Sequence, residues 1–325
     1  MIQNIWRSNT QIHDQLTALK PYLLANVQID NAAINDRVHT LLAAGGKFLR
    51  PGFFYIFSQF GADQDPVRLQ AGAAAMELLH VATLIHDDVI DEAPKRRQIT
   101  TIHQDYGQRN AIYAGDLLFT CYFDQVVLSA RTPADVKRNT AAMRAVLQGE
   151  LDQMAHNFQP TTTLNEYLQV IAGKTARLFS LSCQQGAHLA LASAAVETLA
   201  QQIGQQLGLA YQMLDDILDY TGDEALTHKP VLADLKVGVY SLPLIYALQR
   251  DPSLAQQLPM PGSHPTNQDL IAIRDQVIAL GGVTQTQQLA TTYTQQALSL
   301  INRLPAGSSQ QALQHLVTQL LVRNH

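Results

Sequence analysis

The sequence predicts an all-α protein, and three observations carry that prediction. Apolar residues recur at steps of three and four through almost the whole chain, as in helices that bury one face. The few β-branched runs lack the strict alternation of a half-buried strand. The breaks between periodic stretches carry helix-end chemistry. Asp65-Pro66 and Thr132-Pro133 each set an N-cap residue before a proline at the first helical position, and Thr163-Leu-Asn-Glu166 fits a capping box.

In chain order, helices are expected over residues 10–27, 30–44, 51–60, 66–92, 108–130, 133–157, 163–189, 193–222, 239–250, 267–280, 282–303 and 307–323. Gly45-Gly46 ends the second of these, and Asp65-Pro66 starts the fourth. Several exceed 20 residues and are joined by short connections, the pattern of a large antiparallel bundle with a site between facing helices. Residues 251–265, with four prolines and a Gly-Ser pair, read as an exposed excursion and not a boundary. A single domain over 1–325 is the expectation.

With 325 residues, 46% of them hydrophobic, the chain can bury a large core. A net charge of −5 and a pI near 6.1 argue against a nucleic-acid partner, which would want a basic field. Cys121 and Cys183 have no metal spacing, so free thiols in the cytoplasm are expected. The N-terminus lacks the features of a signal peptide. The longest apolar run, 71–85, contains Glu77 and His80 and is too short to span a bilayer, so no integral membrane segment is expected.

Chemistry concentrates where carboxylates interrupt apolar helices. Asp87, Asp88 and Asp91 form a DDxxD pattern, and Asp215, Asp216 and Asp219 repeat it. On a helix the first and last of each triad lie on one face, ~6 Å apart along the axis. Such a face repels itself unless a cation joins it, and an all-oxygen ligand set suits Mg²⁺ shared with substrate phosphates. A solvated acidic face is the bland alternative for either copy alone; two copies flanked by Leu, Ile, Met and Val weigh against it. Lys47, Arg50, Arg96, Arg97, Lys174 and Lys229 supply more cations than metal-bound carboxylates need, which points to a further anion such as a diphosphate.

These residues resemble the trans-isoprenyl diphosphate synthase family, which includes all-trans polyprenyl and geranylgeranyl diphosphate synthases. The resemblance runs from Gly45 to Leu248 through Gly45-Gly46-Lys47, Arg50-Pro51, Glu77-Leu-Leu-His80, both DDxxD motifs, Arg96-Arg97, Gly173-Lys174-Thr175, Gln212, Lys229-Pro230 and Leu242-Pro243. It implies an all-α isoprenoid synthase fold in which an allylic prenyl diphosphate ionises and is captured by isopentenyl diphosphate. By the same resemblance, the six aspartates hold up to three Mg²⁺ (Mn²⁺ as an alternative), with Arg96, Lys174, Gln212 and Lys229 on the allylic diphosphate. Lys47, Arg50, His80 and Arg97 fall to isopentenyl diphosphate, and backbone carbonyls near Lys174-Thr175 stabilise positive charge. A homodimer is implied, with a heterodimer containing an accessory subunit as the alternative. Gln98, Thr100, His228 and Val239 depart from the family pattern.

Product length depends on where an apolar tunnel is blocked. Thr83, Ala82, Leu79 and Met76 lie one to three turns before Asp87, and Tyr122 is a candidate floor on a neighbouring helix. The small Thr83 and Ala82 favour a medium or long product, from geranylgeranyl to heptaprenyl or octaprenyl diphosphate. A rival reading takes His80, His86 and Asp87 as an HD-type metal phosphohydrolase, which leaves the second DDxxD and the glycine-lysine turn unexplained.

Overall fold

The structure, a computed structural model, describes residues 4–7, 9–222 and 232–321. Lys229 and His228 lie outside the described residues. Fifteen α-helices are present among those described, and the only strands are a two-residue pair. The chain divides into two compact units: Met1–Met143, Leu178–Gly204 and Leu300–Leu320 form the first, and Arg144–Arg177, Gln205–Ser299 and Leu321–His325 the second.

The first unit opens with a 3₁₀ turn, Asn4–Trp6, then α1 (Thr10–Asn26), α2 (Ala32–Ala44), α3 (Leu49–Ser58) and α4 (Pro66–Ile90). Gly45 closes α2 with a positive φ of 62°, and its N–H reaches Leu42 O at 3.1 Å. Asp65 caps α4 as expected, accepting from Val67 N and Arg68 N with Pro66 at the first position. A hairpin, β1 (Lys95–Arg96) and β2 (Ile99–Thr100), leads to α5 (Ile102–Tyr106) and α6 (Gln108–Ser129). Its two turn residues, Arg97 and Gln98, take φ of 53° and 65°, the left-handed pair a tight hairpin requires.

Backbone proximity in this unit depends on small residues. A Cβ on Gly186 would lie 2.0 Å from Phe54 O, and one on Gly115 would lie 2.4 Å from His86 Nε2. The second of these brings α6 onto α4, and the buried face of α6 carries Ala111, Ala114, Leu118 and Tyr122. α7 (Pro133–His156) starts at Thr132-Pro133, where Asp135 Oδ2 accepts from Arg131 N and Thr132 N at 3.0 and 2.9 Å. That carboxylate caps the entry from inside the helix. Its Oδ1 meets His188 Nε2 at 2.7 Å, and His188 Nδ1 meets Glu197 Oε2 at 2.9 Å, tying α7 to α9 (Arg177–Leu189) and the start of α10 (Ala194–Thr221).

In the second unit, α8 (Leu164–Ile171) begins with the expected Thr163–Glu166 capping box. The one helix expected over 163–189 is instead three segments. A π-helical turn, Ala172–Ala176, separates α8 from α9. There a Cβ on Gly149 of α7 would lie 2.5 Å from Lys174 N, so the two backbones touch. α11 (Ala233–Lys236), α12 (Leu242–Arg250), α13 (Asn267–Ala279), α14 (Gly282–Ile301) and α15 (Ser308–Leu321) follow; the last two straddle the boundary between units. The 251–265 stretch is not wholly an excursion. A 3₁₀ turn, Pro252–Gln257, buries Leu254, and Leu258 joins it in a cluster with Tyr240, Leu244 and Leu270. The apolar side chains at that spacing outweigh the local proline signal.

Candidate active site

The first group of candidate residues stands on α4 and the turns packed beside it. Asp87 is half-buried and Asp91 exposed just beyond the helix end, its N–H bonded to Asp87 O at 2.8 Å. Asp88 turns inward, and Arg96 Nε and Nη2 converge on its Oδ1 at 2.7 and 2.6 Å. Burial raises the Asp88 carboxyl and the Arg96 guanidinium opposes that rise. Asp88 and Arg96 thus neutralise each other, while Asp87 and Asp91 flank the helix end.

Three further candidates, His80, Arg50 and Arg97, gather deeper along α4. His80 is half-buried; desolvation, then the charges of Arg50, Arg97 and Arg96, hold its imidazole well below its usual range, so it is neutral. Arg50 packs its guanidinium over the Phe179 ring at 5.0 Å. Arg97 donates from Nη1 to Leu41 O at 3.4 Å, and its Nη2 lies 2.9 Å from where a Cβ on Gly46 would stand. The absent side chain at Gly46 is what admits it. Glu77, buried on the same helix, lies in the Glu77-Leu-Leu-His80 stretch but had no role from the sequence. Burial raises its carboxyl, while Arg97 and then Arg50 pull it down, so it is the counter-charge of this cationic group. Its signal in the sequence is that stretch, an acid three residues before His80 in an apolar run.

The second group lies on α10 and the π turn. Asp216 is buried and saturated: Oδ2 accepts from Tyr167 Oη at 2.7 Å and Leu242 N at 3.3 Å, and Oδ1 from Gln212 Nε2 at 2.9 Å. Gln212 Oε1 in turn accepts from Thr175 Oγ1 at 2.7 Å. Lys174 Nζ meets Glu150 Oε2 at 2.8 Å. Asp219 Oδ1 accepts from Ala233 N at 3.1 Å, while its Oδ2 is buried with no hydrogen-bond partner. Burial pushes Asp216 and Asp219 up to about 6, and Asp215 adds to both. Asp234 makes a fourth acid here, lifted well above its ordinary range by burial and by Asp219, Asp216 and Asp215. Glu150, Tyr167 and Asp234 escaped the sequence reading because each is a lone polar residue without a motif.

A divalent cation suits this chemistry. The donors are carboxylate oxygens, one of them buried without a partner, and crowding disfavours their charged forms until a cation arrives. Among the described residues no three His, Cys, Asp or Glu side chains already converge on one point.

Of the length candidates, Met76, Leu79, Ala82 and Tyr122 are buried, whereas Thr83 is half-buried with its hydroxyl on His80 O at 2.8 Å.

The sequence model of the polyprenyl synthetase family matches residues 31–272. The chain belongs to the polyprenyl synthetase family. It is a prenyltransferase, a trans-polyprenyl diphosphate synthase. Among its relatives is heptaprenyl diphosphate synthase component 2 of Bacillus subtilis, 32% identical over 302 residues, 93% of this chain and 86% of that one. Among solved structures, a geranylgeranyl pyrophosphate synthase from Lactobacillus brevis is 51% identical with a TM-score of 0.92, covering 98% of this chain and 99% of that one. A polyprenyl synthase from Caulobacter crescentus, complexed with calcium and isoprenyl diphosphate, has a TM-score of 0.92 at 28% identity, covering 99% of both chains. Membership overturns the phosphohydrolase reading. The physical reason is visible at His86, whose Nε2 lies 3.1 Å from Ile112 O and 3.3 Å from Asp116 Oδ1: it joins α4 to α6 in place of ligating a metal.

One described helix, α6, is long and apolar enough by length and composition to cross a membrane. One face of it packs on α4, and the opposite face exposes Ile112, Tyr113, Leu117, Val127 and Leu128.

Proposed function

We propose that the protein condenses isopentenyl diphosphate with an allylic prenyl diphosphate, repeatedly, to give an all-trans product in the geranylgeranyl to heptaprenyl or octaprenyl range. The family match carries the reading, and the two carboxylate groups with their neighbouring cations support it. In each cycle the allylic C–O bond breaks, a C–C bond forms to the isopentenyl double bond, and a proton leaves, with diphosphate as the other product. Bound Mg²⁺, or Mn²⁺ in its place, supplies Lewis-acid neutralisation of the leaving diphosphate.

The chain's own residues do the rest. Asp87, Asp91, Asp215 and Asp219 offer carboxylate oxygens to the ions. Asp88 and Asp216, each already hydrogen-bonded within the protein, orient Arg96 and Gln212 toward the allylic diphosphate. Lys174 and Lys229 add charge there. Lys47, Arg50 and Arg97 hold isopentenyl diphosphate, with neutral His80 as a hydrogen-bond partner that adds no charge. The π turn at Lys174-Thr175 frees backbone carbonyls to face the positive charge that develops on the allylic carbon. Apolar helices exclude the water that would quench it.

The span of the family match supports treating both units as one catalytic domain, and the free cysteines support a reducing, cytoplasmic setting. The exposed apolar face of α6 supports a homodimer. A second reading, the catalytic half of a heterodimer, is favoured by one observation: a 32% identical relative is named as component 2 of its synthase. The deciding experiment incubates the purified chain with Mg²⁺, geranyl or farnesyl diphosphate and labelled isopentenyl diphosphate, then sizes the dephosphorylated products. Chain extension by the protein alone supports the first reading; extension only with an added subunit favours the second; none under either condition sinks both.

A further inference from the structure

Trp6, the only tryptophan in the chain, sits in a short turn at the N-terminus and is 1% exposed. Its indole Nε1 donates to Lys47 O at 2.6 Å, across 41 residues of sequence. Its ring lies where a side chain on Gly52 would be, since a Cβ there would stand 2.1 Å from it, and it meets the Phe53 ring edge-on at 6.1 Å. Phe53 packs on Phe179 at 5.9 Å, and Phe179 carries the Arg50 guanidinium at 5.0 Å. One side chain therefore touches the turn that presents Lys47 and Arg50 at both ends, through a carbonyl at one and through two rings at the other.

The turn needs such support. Phe48, next after Lys47, has φ 47°, in the left-handed region that L-residues occupy at a cost. The peptide joining Lys47 to Phe48 is the one whose carbonyl the indole holds, so the bond fixes its plane in the strained setting. A buried indole N–H needs an acceptor, and the one Trp6 takes lies in the turn that bears two cations. We propose that Trp6 is a positioning residue for isopentenyl diphosphate: it clasps the N-terminus onto the Gly45–Pro51 turn and sets Lys47 and Arg50 for the diphosphate. This rests on the reading above that Lys47 and Arg50 hold that substrate.

The test uses the full chain with Mg²⁺. Trp6→Phe keeps a ring and removes the N–H donor. Its KM for isopentenyl diphosphate should rise about tenfold, the size of one lost hydrogen bond, with kcat and the allylic KM within twofold of wild type. Because Trp6 is the sole tryptophan, its emission in the wild-type protein reports the clasp directly. Isopentenyl diphosphate without an allylic partner, so without turnover, should change that emission saturably, and Lys47→Ala should abolish the change.

An unchanged isopentenyl KM in a Trp6→Phe protein of native helicity overturns the proposal, as does an equal rise in both KM values, which marks a general structural role. If Trp6→Phe does not fold, the wild-type titration decides, and a flat emission signal overturns it. Lys47→Ala and Arg50→Ala separate the layers. If they raise the isopentenyl KM while Trp6→Phe does not, only the clasp fails; if they raise the allylic KM instead, the site reading fails and the clasp with it.

Discussion

Asp219 keeps a buried carboxylate oxygen without a partner beside three other acids, and that arrangement has a measurable cost. Burial, with Asp216 and Asp215 nearby, pushes its carboxyl up to about 6, against about 4 for an unfolded aspartate. Between those values the folded chain holds a proton the unfolded chain has lost, so this group lowers stability above pH 6 and the penalty fades as pH falls toward 4. His80, held neutral, works the other way below about pH 6.5, so the comparison must be between variants. Without metal at pH 7.5, Asp219→Asn should be more stable than wild type, by on the order of 2 kcal/mol, and the advantage should shrink by pH 5. Thermal denaturation across that range checks it; an advantage that persists at pH 5 would contradict the cause given. With substrate and Mg²⁺ the sign of the benefit reverses: Asp87→Ala or Asp215→Ala should lose turnover by orders of magnitude while circular dichroism shows retained helicity. Arg97→Ala should chiefly raise the KM for isopentenyl diphosphate. Gly46→Ala should do the same in weaker form, because its methyl displaces the Arg97 guanidinium. The repeated acids were legible in the sequence because a motif repeats. Glu150, Tyr167, Asp234 and the role of Glu77 were not, because they come from burial and from partners distant in sequence.

Long helices were legible because apolar periodicity and cap residues agreed, as at Asp65-Pro66 and Thr163–Glu166. The β1–β2 hairpin was not: a turn with two left-handed residues is usually announced by Asn-Gly, and here Arg97-Gln98 fill it. The π turn was equally hidden, since Ala-Gly-Lys-Thr-Ala reads as ordinary helix and only the backbone contact with Gly149 marks the break. On α4, Thr83 is half-buried one turn before Asp87, while Leu79, Met76 and Ala82 are buried. Thr83→Phe should therefore shorten the product, because each added CH₂ gains ~0.8 kcal/mol in an apolar tunnel only while there is room for it. Chromatography of dephosphorylated products should show fewer additions with the first condensation intact. An unchanged distribution from an active variant would move the floor to Tyr122.

At the scale of the whole molecule, one exposed apolar surface among the described residues is the outer face of α6, where Tyr113, Leu117, Val127 and Leu128 stand exposed at helical spacing. Leu117→Asp with Val127→Asp should convert a dimer to monomers in sedimentation velocity, whereas a wild-type monomer would remove the reason for the pairing. The family match across 31–272 means that neither unit is dispensable to the shared pattern. The five-residue turn at Ala172–Ala176 carries a consequence for inheritance. It is one codon longer than an α-helix needs. Deleting one codon there should restore the regular ladder without changing the helical phase of the residues on either side, and should remove the widened turn. Chains with an in-frame loss within this segment should therefore fold at least as stably as wild type and lose turnover, which thermal denaturation beside an activity assay would show.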